Sequence, residues 1–586
     1  MMFSFASIGR MVLRKRSLFV WGQIITLLAA LISIPIPLML PLMVDEVVLV
    51  KGGAVVDSID ALFGSGEAWY YVAIVALVVI AMRFIYFLLG VIQTKIFTLI
   101  SKEVTFRMRR SMLGHLRTAA MTEYERLGSG TIGAHLVTDV ATLDNFIANG
   151  ASKFIAAVLS LLGVGIVMII IHPLLGLLIL VLQPLVMLVT KRISKSVGVL
   201  KKEENRAIEE FQQEVGEVLE LFGQIKASNK ERYFFNRAIA KARHVQRTSN
   251  AFGYKSVAAE RFSYTLFLSF FELFRAAGLL MVIYSDLSIG MMFAMFGYIW
   301  FIMTPVQEIL SLQYSYASAR AALGRINAVM QLVQEPRGTQ AIEGEGVTIG
   351  LEHVGFSYDG ASMILEDISL SITQGQKVAI IGASGSGKTT LAQIIAGFYP
   401  KSQGTLTYNA TPIESLSRAS IRSRVFVVLQ MPILFNDTLR FNVTMGAPHS
   451  DEAIMNALAM AQMDATVRAM PNALETIVGR HGIRLSGGQR QRLAIARMIL
   501  ADPDVVIFDE STSALDVHTE AKLFGALQDL LRPKTLITIA HRHSTVQNAQ
   551  MVYVLESGRI VEQGSPQALA QREGHFATFL AQERHA

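Results

Sequence analysis

A chain of 586 residues exceeds what one hydrophobic core organises, so at least two domains are expected. With 52% hydrophobic and only 17% charged residues it is too apolar for an ordinary soluble protein, and its net charge of +7 leaves nucleic acid or a membrane surface as the basic-patch partner. The absence of cysteine excludes disulfides, thiolate metal sites and cysteine nucleophiles, and the 12 histidines lack metal-ligand spacing.

Arg10, Arg14, Lys15 and Arg16 close a short N-terminal stretch that reads as an amphipathic helix on a cytoplasmic surface. The charge comes late and the apolar run behind it is long, which does not fit a cleaved signal peptide. Ser17–Val44 carries no charge and is long enough to cross a bilayer, with Pro35, Pro37 and Pro41 expected to loosen its second half. Six spans are expected in all, at about 17–50, 68–100, 138–171, 173–222, 249–284 and 287–313. His172-Pro173 divides the third from the fourth. Lys102, Arg107, Arg109, Arg110 and Arg117 fall in one inner connection, and Lys191, Arg192, Lys195, Lys201 and Lys202 in the other, while the opposite loops hold little beyond Lys51. Positive-inside bias therefore places both termini in the cytoplasm of a multi-pass inner (cytoplasmic) membrane protein. The lipid bilayer accounts for the charge, and no nucleic-acid partner is expected.

Both inner connections run to roughly 40–60 residues, against the usual few, and read as helical extensions of the spans. Tyr124–Gly133 and Gly223–Lys230 are where such helices can reverse. After residue 333 a polar, Gly-rich linker (334–348) leads into residues 349–586. There short β-rich runs at Val354–Tyr358, Ile364–Ile372, Lys377–Ile381, Val425–Leu429, Val505–Phe508 and Thr535–Ile539 alternate with helical stretches. This predicts an α/β domain around a largely parallel sheet.

The apolar strand Lys377–Ile381 runs straight into Gly382-Ala-Ser-Gly-Ser-Gly387-Lys388-Thr389-Thr390, the G-x-x-x-x-G-K-[ST] loop whose backbone N–H groups cradle phosphates. Lys388 is expected to reach the β- and γ-phosphates and Thr389 to ligate Mg²⁺. Val505–Phe508 is a second apolar strand, ending in Asp509 and Glu510. Acids there are costly unless they serve a cation or a reaction, which suits Asp509 to Mg²⁺ and Glu510 to activating water. Leu485-Ser486-Gly487-Gly488-Gln489 opens a helix and offers a second anion grip.

With these three motifs in this order, the C-terminal domain resembles the nucleotide-binding domain of ABC transporters, and Leu485–Gln489 matches the family signature. The resemblance implies that two cassettes pair head to tail, with ATP between one P-loop and the partner's signature loop. Gly382, Ser384, Gly385, Ser386, Gly387, Lys388, Thr389 and Thr390 would then face Ser486, Gly487, Gly488 and Gln489 of a second copy. It further assigns Tyr358 to adenine stacking, Gln430 to Mg²⁺ and the membrane domain, Asp516 to the dimer interface, and His541 to the γ-phosphate. Two positions depart from the usual pattern: Arg480 stands where an acidic residue is usual, and Met431 follows Gln430 where an acid is common. Both bear on coupling rather than on ATP.

The whole chain is similar to exporter-type half-transporters, a six-span helical membrane domain fused to a P-loop α/β domain. The resemblance implies a homodimer or heterodimer of half-transporters that hydrolyses ATP to export amphipathic small molecules, peptides or lipids. An importer on the same fold, for instance for a metal–siderophore complex, and a flippase for a lipid or lipid-linked glycan are the alternatives. Arg83, Glu272 and Arg275 lie inside expected spans and are the substrate candidates, with an intrahelical Glu272–Arg275 pair as the structural reading. Met291, Met292, Phe293, Met295, Phe296, Tyr298, Trp300, Phe301 and Met303 offer soft apolar surface, to a ligand or to neighbouring helices and lipid.

Overall fold

The structure is a computed structural model that describes residues 2–358, 360, 362–479, 482–510, 514–540 and 546–584, side chains excepted at 151–152, 180–188, 190–191, 193–195, 310, 314, 517 and 582–584. The chain forms two compact units. One comprises Met1–Met112 with Ala134–Ala328, and the other Leu113–Gly133 with Val329–Ala586.

The first unit is helical. In chain order it contains α1 (Phe5–Leu13), α2 (Arg16–Ser33), α3 (Ile36–Met43), α4 (Ala54–Phe63) and α5 (Ala68–Leu116), the last of which runs on into the second unit with α6 (Met121–Leu127) and α7 (Ser129–Ala134). Then come α8 (Val140–Asn145), α9 (Ser152–Ile171), α10 (Pro173–Glu220), α11 (Phe222–Ala227), α12 (Glu231–Tyr284) and α13 (Ile289–Met330). Among the described residues five helical runs are long and apolar enough to cross a membrane: Arg16–Val48, Ala68–Leu116, Ser129–Ile171, Glu231–Tyr284 and Ile289–Met330. The remaining expected crossing falls on α10, part of which has side chains outside the described set. At about 1.5 Å per residue, the 49 residues of α5 and the 54 of α12 are far longer than a bilayer requires.

Prolines shape the first crossing. Pro35 ends α2, and Leu38 N donates back to Pro35 O, which leaves Ile34 O outside the helical ladder. A stranded carbonyl at membrane depth must find a partner within the protein, and the Tyr298 hydroxyl of α13 donates to Ile34 O at 2.8 Å. Tyr298 is thereby spent on the bundle. With Met292 and Met295 it packs against Phe267 and Phe274 of α12, so these members of the methionine-aromatic run are core. At the far end of the same crossing, the chain widens into a π-turn at Val44–Val48. Asp45 there accepts from Gly290 N (3.0 Å) and Ser288 Oγ, capping the start of α13. The long α10 and α12 are laced by ion pairs from Arg237 to Glu214 and from Lys241 to Glu210.

The second unit holds two sheets. The six-stranded one has the order β10-β9-β3-β8-β7-β6, with β3 (Lys377–Ile381), β6 (Val425–Val428), β7 (Val505–Asp509), β8 (Thr535–Ile539) and β9 (Met551–Glu556) parallel and β10 (Arg559–Gly564) antiparallel at one edge. The other is antiparallel, β2-β1-β4-β5, from β1 (Ile349–Phe356), β2 (Leu365–Ile372), β4 (Gln403–Tyr408) and β5 (Thr411–Pro412). The first two sequence-predicted strands thus belong to a separate sheet. Its burial alternates along β2, as a half-solvated antiparallel strand requires, whereas β7 is buried throughout. The helices of this unit include α14 (Lys388–Ile395), α15 (Arg418–Arg424), α16 (Leu439–Thr444), α17 (Asp451–Met460), α18 (Asp464–Arg468), α19 (Gly487–Ala501) and α20 (Val517–Leu531), of which α14, α19 and α20 carry site residues.

The Gly-rich linker stretch is held at several points. Arg424 donates to the carbonyls of Ile342 (3.0 Å), Gly344 (2.9 Å) and Gly346 (3.3 Å) and pairs with Asp504. Gln340 is bracketed by main-chain bonds to Ser415 and Ser417. Arg424→Ala should therefore destabilise the cassette by about 2 kcal/mol. It should also open 336–346 to protease, which a thermal melt and a timed digest would read. A digest indistinguishable from wild type would mean the linker is held by other contacts.

Candidate functional site

The P-loop is shaped by its glycines. Gly382 has φ +151°, and a Cβ there would sit 2.0 Å from Leu555 O; at Gly387, the left-handed N-cap of α14, it would meet Leu365 at 2.7 Å. Ser384 and Gly385 form the exposed tip of the loop, and Ser386 is buried with an Oγ that has no hydrogen-bond partner among the described residues. The buried Lys388 folds back, its Nζ donating to Gly382 O (3.0 Å) and Ala383 O (2.8 Å). Burial lowers the lysine's pKa, while the carboxylates of Glu510 and Asp509 push it back up. A helix N-terminus, a buried ammonium and an orphan hydroxyl converging on one turn suit a phosphate chain.

β7 delivers the acids. Asp509 is buried at its end and accepts from Thr389 Oγ1 at 3.1 Å. Glu510 turns out of the strand with φ +47°, a left-handed conformation that costs a non-glycine residue energy, and accepts from Gln430 Nε2 at 2.6 Å. The hydroxyl, carboxylates and side-chain amide gathered here are hard oxygen donors of the kind Mg²⁺ takes. Tyr358 is half-exposed at the end of β1, its hydroxyl 3.1 Å from Thr390 Oγ1 on α14.

Ser486 caps α19 in a reciprocal box: its Oγ accepts from Gln489 N (3.2 Å), while Ser486 N donates to Gln489 Oε1 (2.8 Å). Gly487 and Gly488 lie behind it, the latter so close to Leu515 that a Cβ would stand 3.0 Å away. Asp516 caps α20 by accepting from Thr519 N (2.9 Å) and Thr519 Oγ1 (2.7 Å), bonds that lower its pKa. Among the described residues no hydrogen bond links Ser486–Gln489 to Gly382–Thr390. His541 and Arg480 lie outside the described residues.

Sequence reasoning missed Gln491. It is buried on α19, donates to Gln430 O (3.1 Å) and accepts from Ala514 N (3.2 Å), joining the glutamine loop to the turn before Asp516. A glutamine at the second turn of a helix carries no signal until its burial is known.

The substrate candidates lie in the other unit. Arg275 Nη1 bonds both Glu272 oxygens at 3.0 Å, so the intrahelical pair forms, yet its side chains stay 47% and 64% exposed. Arg83 on α5 is exposed as well.

Comparison with known families gives two matches. Residues 24–306 match the family described as ABC transporter transmembrane region, and residues 365–513 the one described as ABC transporter. An ATP-dependent lipid A-core flippase of Saccharophagus degradans is 39% identical over 277 residues, which is 47% of either protein. One of Legionella pneumophila is 44% identical over 230 residues, 39% of each. The chain thus spans less than half the length of these curated relatives. An uncharacterized ABC transporter ATP-binding protein of Bacillus subtilis is 29% identical over 80% of this chain and 82% of its own. In fold, the chain resembles a bacterial Atm1-family ABC exporter with ATP bound, at TM-score 0.80 and 22% identity over 97% of this chain and 98% of that one. With both matched regions on a single polypeptide, behind a P-loop whose lysine, threonine and acids converge, this chain belongs to the ABC transporter family.

Proposed function

We propose that this chain is half of an ATP-driven lipid exporter, moving a lipidic amphiphile toward the outer leaflet as a homodimer. The convergence of Lys388, Thr389, Asp509 and Glu510 on one loop carries the ATPase reading. Thr389, Asp509 and Gln430 would hold Mg²⁺, which supplies charge neutralisation at the phosphates. Glu510, oriented by Gln430, takes the proton of the attacking water. Among the described residues Ser486–Gln489 makes no hydrogen bond to the P-loop of its own chain, which supports Ser486 and Gly488 closing on that of a second copy. Every ATP-facing position is of the catalytic type, so one kind of chain suffices. The flippase relatives support a lipid as cargo, and the distribution of Lys and Arg supports six crossings with both termini and the cassette in the cytoplasm.

An exposed ion pair at span depth is costly against hydrocarbon, which supports placing Glu272 and Arg275 toward water, a headgroup or the second copy. In proteoliposomes doped with lipid A or a fluorescent phosphatidylethanolamine, ATP should drive lipid to the opposite leaflet. Steady ATP consumption with no lipid movement for either probe would rule out the lipid reading. Glu272→Ala with Arg275→Ala should cut lipid-stimulated turnover about five-fold while basal turnover holds, and an unchanged stimulation would make the pair structural.

A further inference from the structure

Tyr399 was singled out by no sequence signal, yet it joins the adenine-side tyrosine to the first inner connection. It lies just past α14, 4% exposed, and its ring stacks on Phe356 (5.4 Å between centroids, planes 5° apart). Tyr358 meets the same ring edge-on at 5.4 Å and 80°. The Tyr399 hydroxyl donates to Glu125 Oε2 at 2.9 Å, and Glu125 is on α6, which sits in the same compact unit as the cassette. Along the chain, α6 follows directly on the long apolar α5 and precedes the Ser129–Ile171 crossing.

The stack behind Tyr358 leaves little slack. An edge-to-face pair holds its angle, so a base stacking on Tyr358 biases the Tyr399 ring, and Phe356 prevents that ring from yielding backwards. What remains free to respond is the hydroxyl and the helix it holds. Burial first, then Glu125, raises the hydroxyl's pKa, so it stays a donor throughout the physiological range.

We propose that Tyr399 is a positioning residue, a hydrogen-bonded strut that transmits occupancy of the Tyr358 face to α6 through Glu125. The proposal rests on the reading of Tyr358 as the adenine platform. Tyr399→Phe keeps both ring contacts and removes only the donor; Glu125→Gln keeps an acceptor, and Glu125→Ala does not.

Hydrogen exchange on the full-length, reconstituted chain tests it, with and without MgATP. In the wild type, MgATP should slow exchange about five-fold or more both in 382–390 and in 121–127. Tyr399→Phe and Glu125→Ala should keep the first protection and lose the second, Glu125→Gln should keep both, and the double variant should be no worse than either single one. Retained protection of 121–127 in Tyr399→Phe would overturn the strut, as would additive losses in the double variant. If wild-type 382–390 shows no protection at all, it is the ATP-site reading that fails. If Tyr399→Phe loses protection at both segments, the hydroxyl supports the loop itself and the strut is likewise overturned.

Discussion

Glu510→Gln should lower ATP turnover by about 10²–10⁴-fold while MgATP binding stays within about two-fold of wild type. The exchange keeps shape and keeps an oxygen for the Gln430 amide, so the 2.6 Å contact that orients the side chain survives. What goes is the proton acceptor and one of the two negative charges beside Lys388. Losing that charge removes repulsion toward the phosphates, so bound nucleotide should persist and a closed dimer accumulate. Phosphate release gives the rate, equilibrium binding gives the affinity, and size separation in MgATP gives the dimer. Near-normal turnover would take the base role away from Glu510.

Lys388→Ala should raise the Kd for MgATP about 100-fold, equivalent to about 2.7 kcal/mol. The ammonium is buried and now bonds two loop carbonyls, which are contacts it can exchange for phosphate oxygens without leaving its slot. Lys388→Arg should fail almost as badly, because the wider guanidinium does not fit a slot closed around a single ammonium. MgATP at a concentration that saturates the wild type should raise its thermal midpoint and shift that of either variant far less. A nucleotide-dependent shift of wild-type size in Lys388→Ala would show that the loop binds through its backbone alone.

The site was legible because its chemistry is local: Gly382–Thr390 and Val505–Glu510 each carry strand, turn and functional group in one contiguous run. The helical membrane part was legible for the same reason, since apolar length is a property of the sequence itself. What could not be read is held by distance. Tyr399 gains its meaning from Glu125, 274 positions away, and Gln491 from Gln430 and Ala514. The sequence left Tyr298 open between a ligand and neighbouring helices, and only the structure shows it satisfying the carbonyl that Pro35 frees. The prolines predicted the break in the first crossing but not the π-turn beyond it, from which Asp45 caps α13. Sheet membership was missed at β1 and β2, where strand-forming sequence does not say which neighbour it pairs with.

Beyond α5 the chain meets its own linker: Ala120 N donates to Val333 O at 2.8 Å and Glu335 N to Thr118 O at 2.9 Å, with Thr118 Oγ1 also bonding Gln334. These few bonds close a loop containing nearly everything from Ala120 to Val333. Synthesis therefore imposes an order, because Thr118–Ala120 is made early and waits unpaired until Glu335 has left the ribosome. A cassette expressed alone from residue 340 would lack both edges of this joint, and would enter solution without the seam that closes the loop in the whole chain.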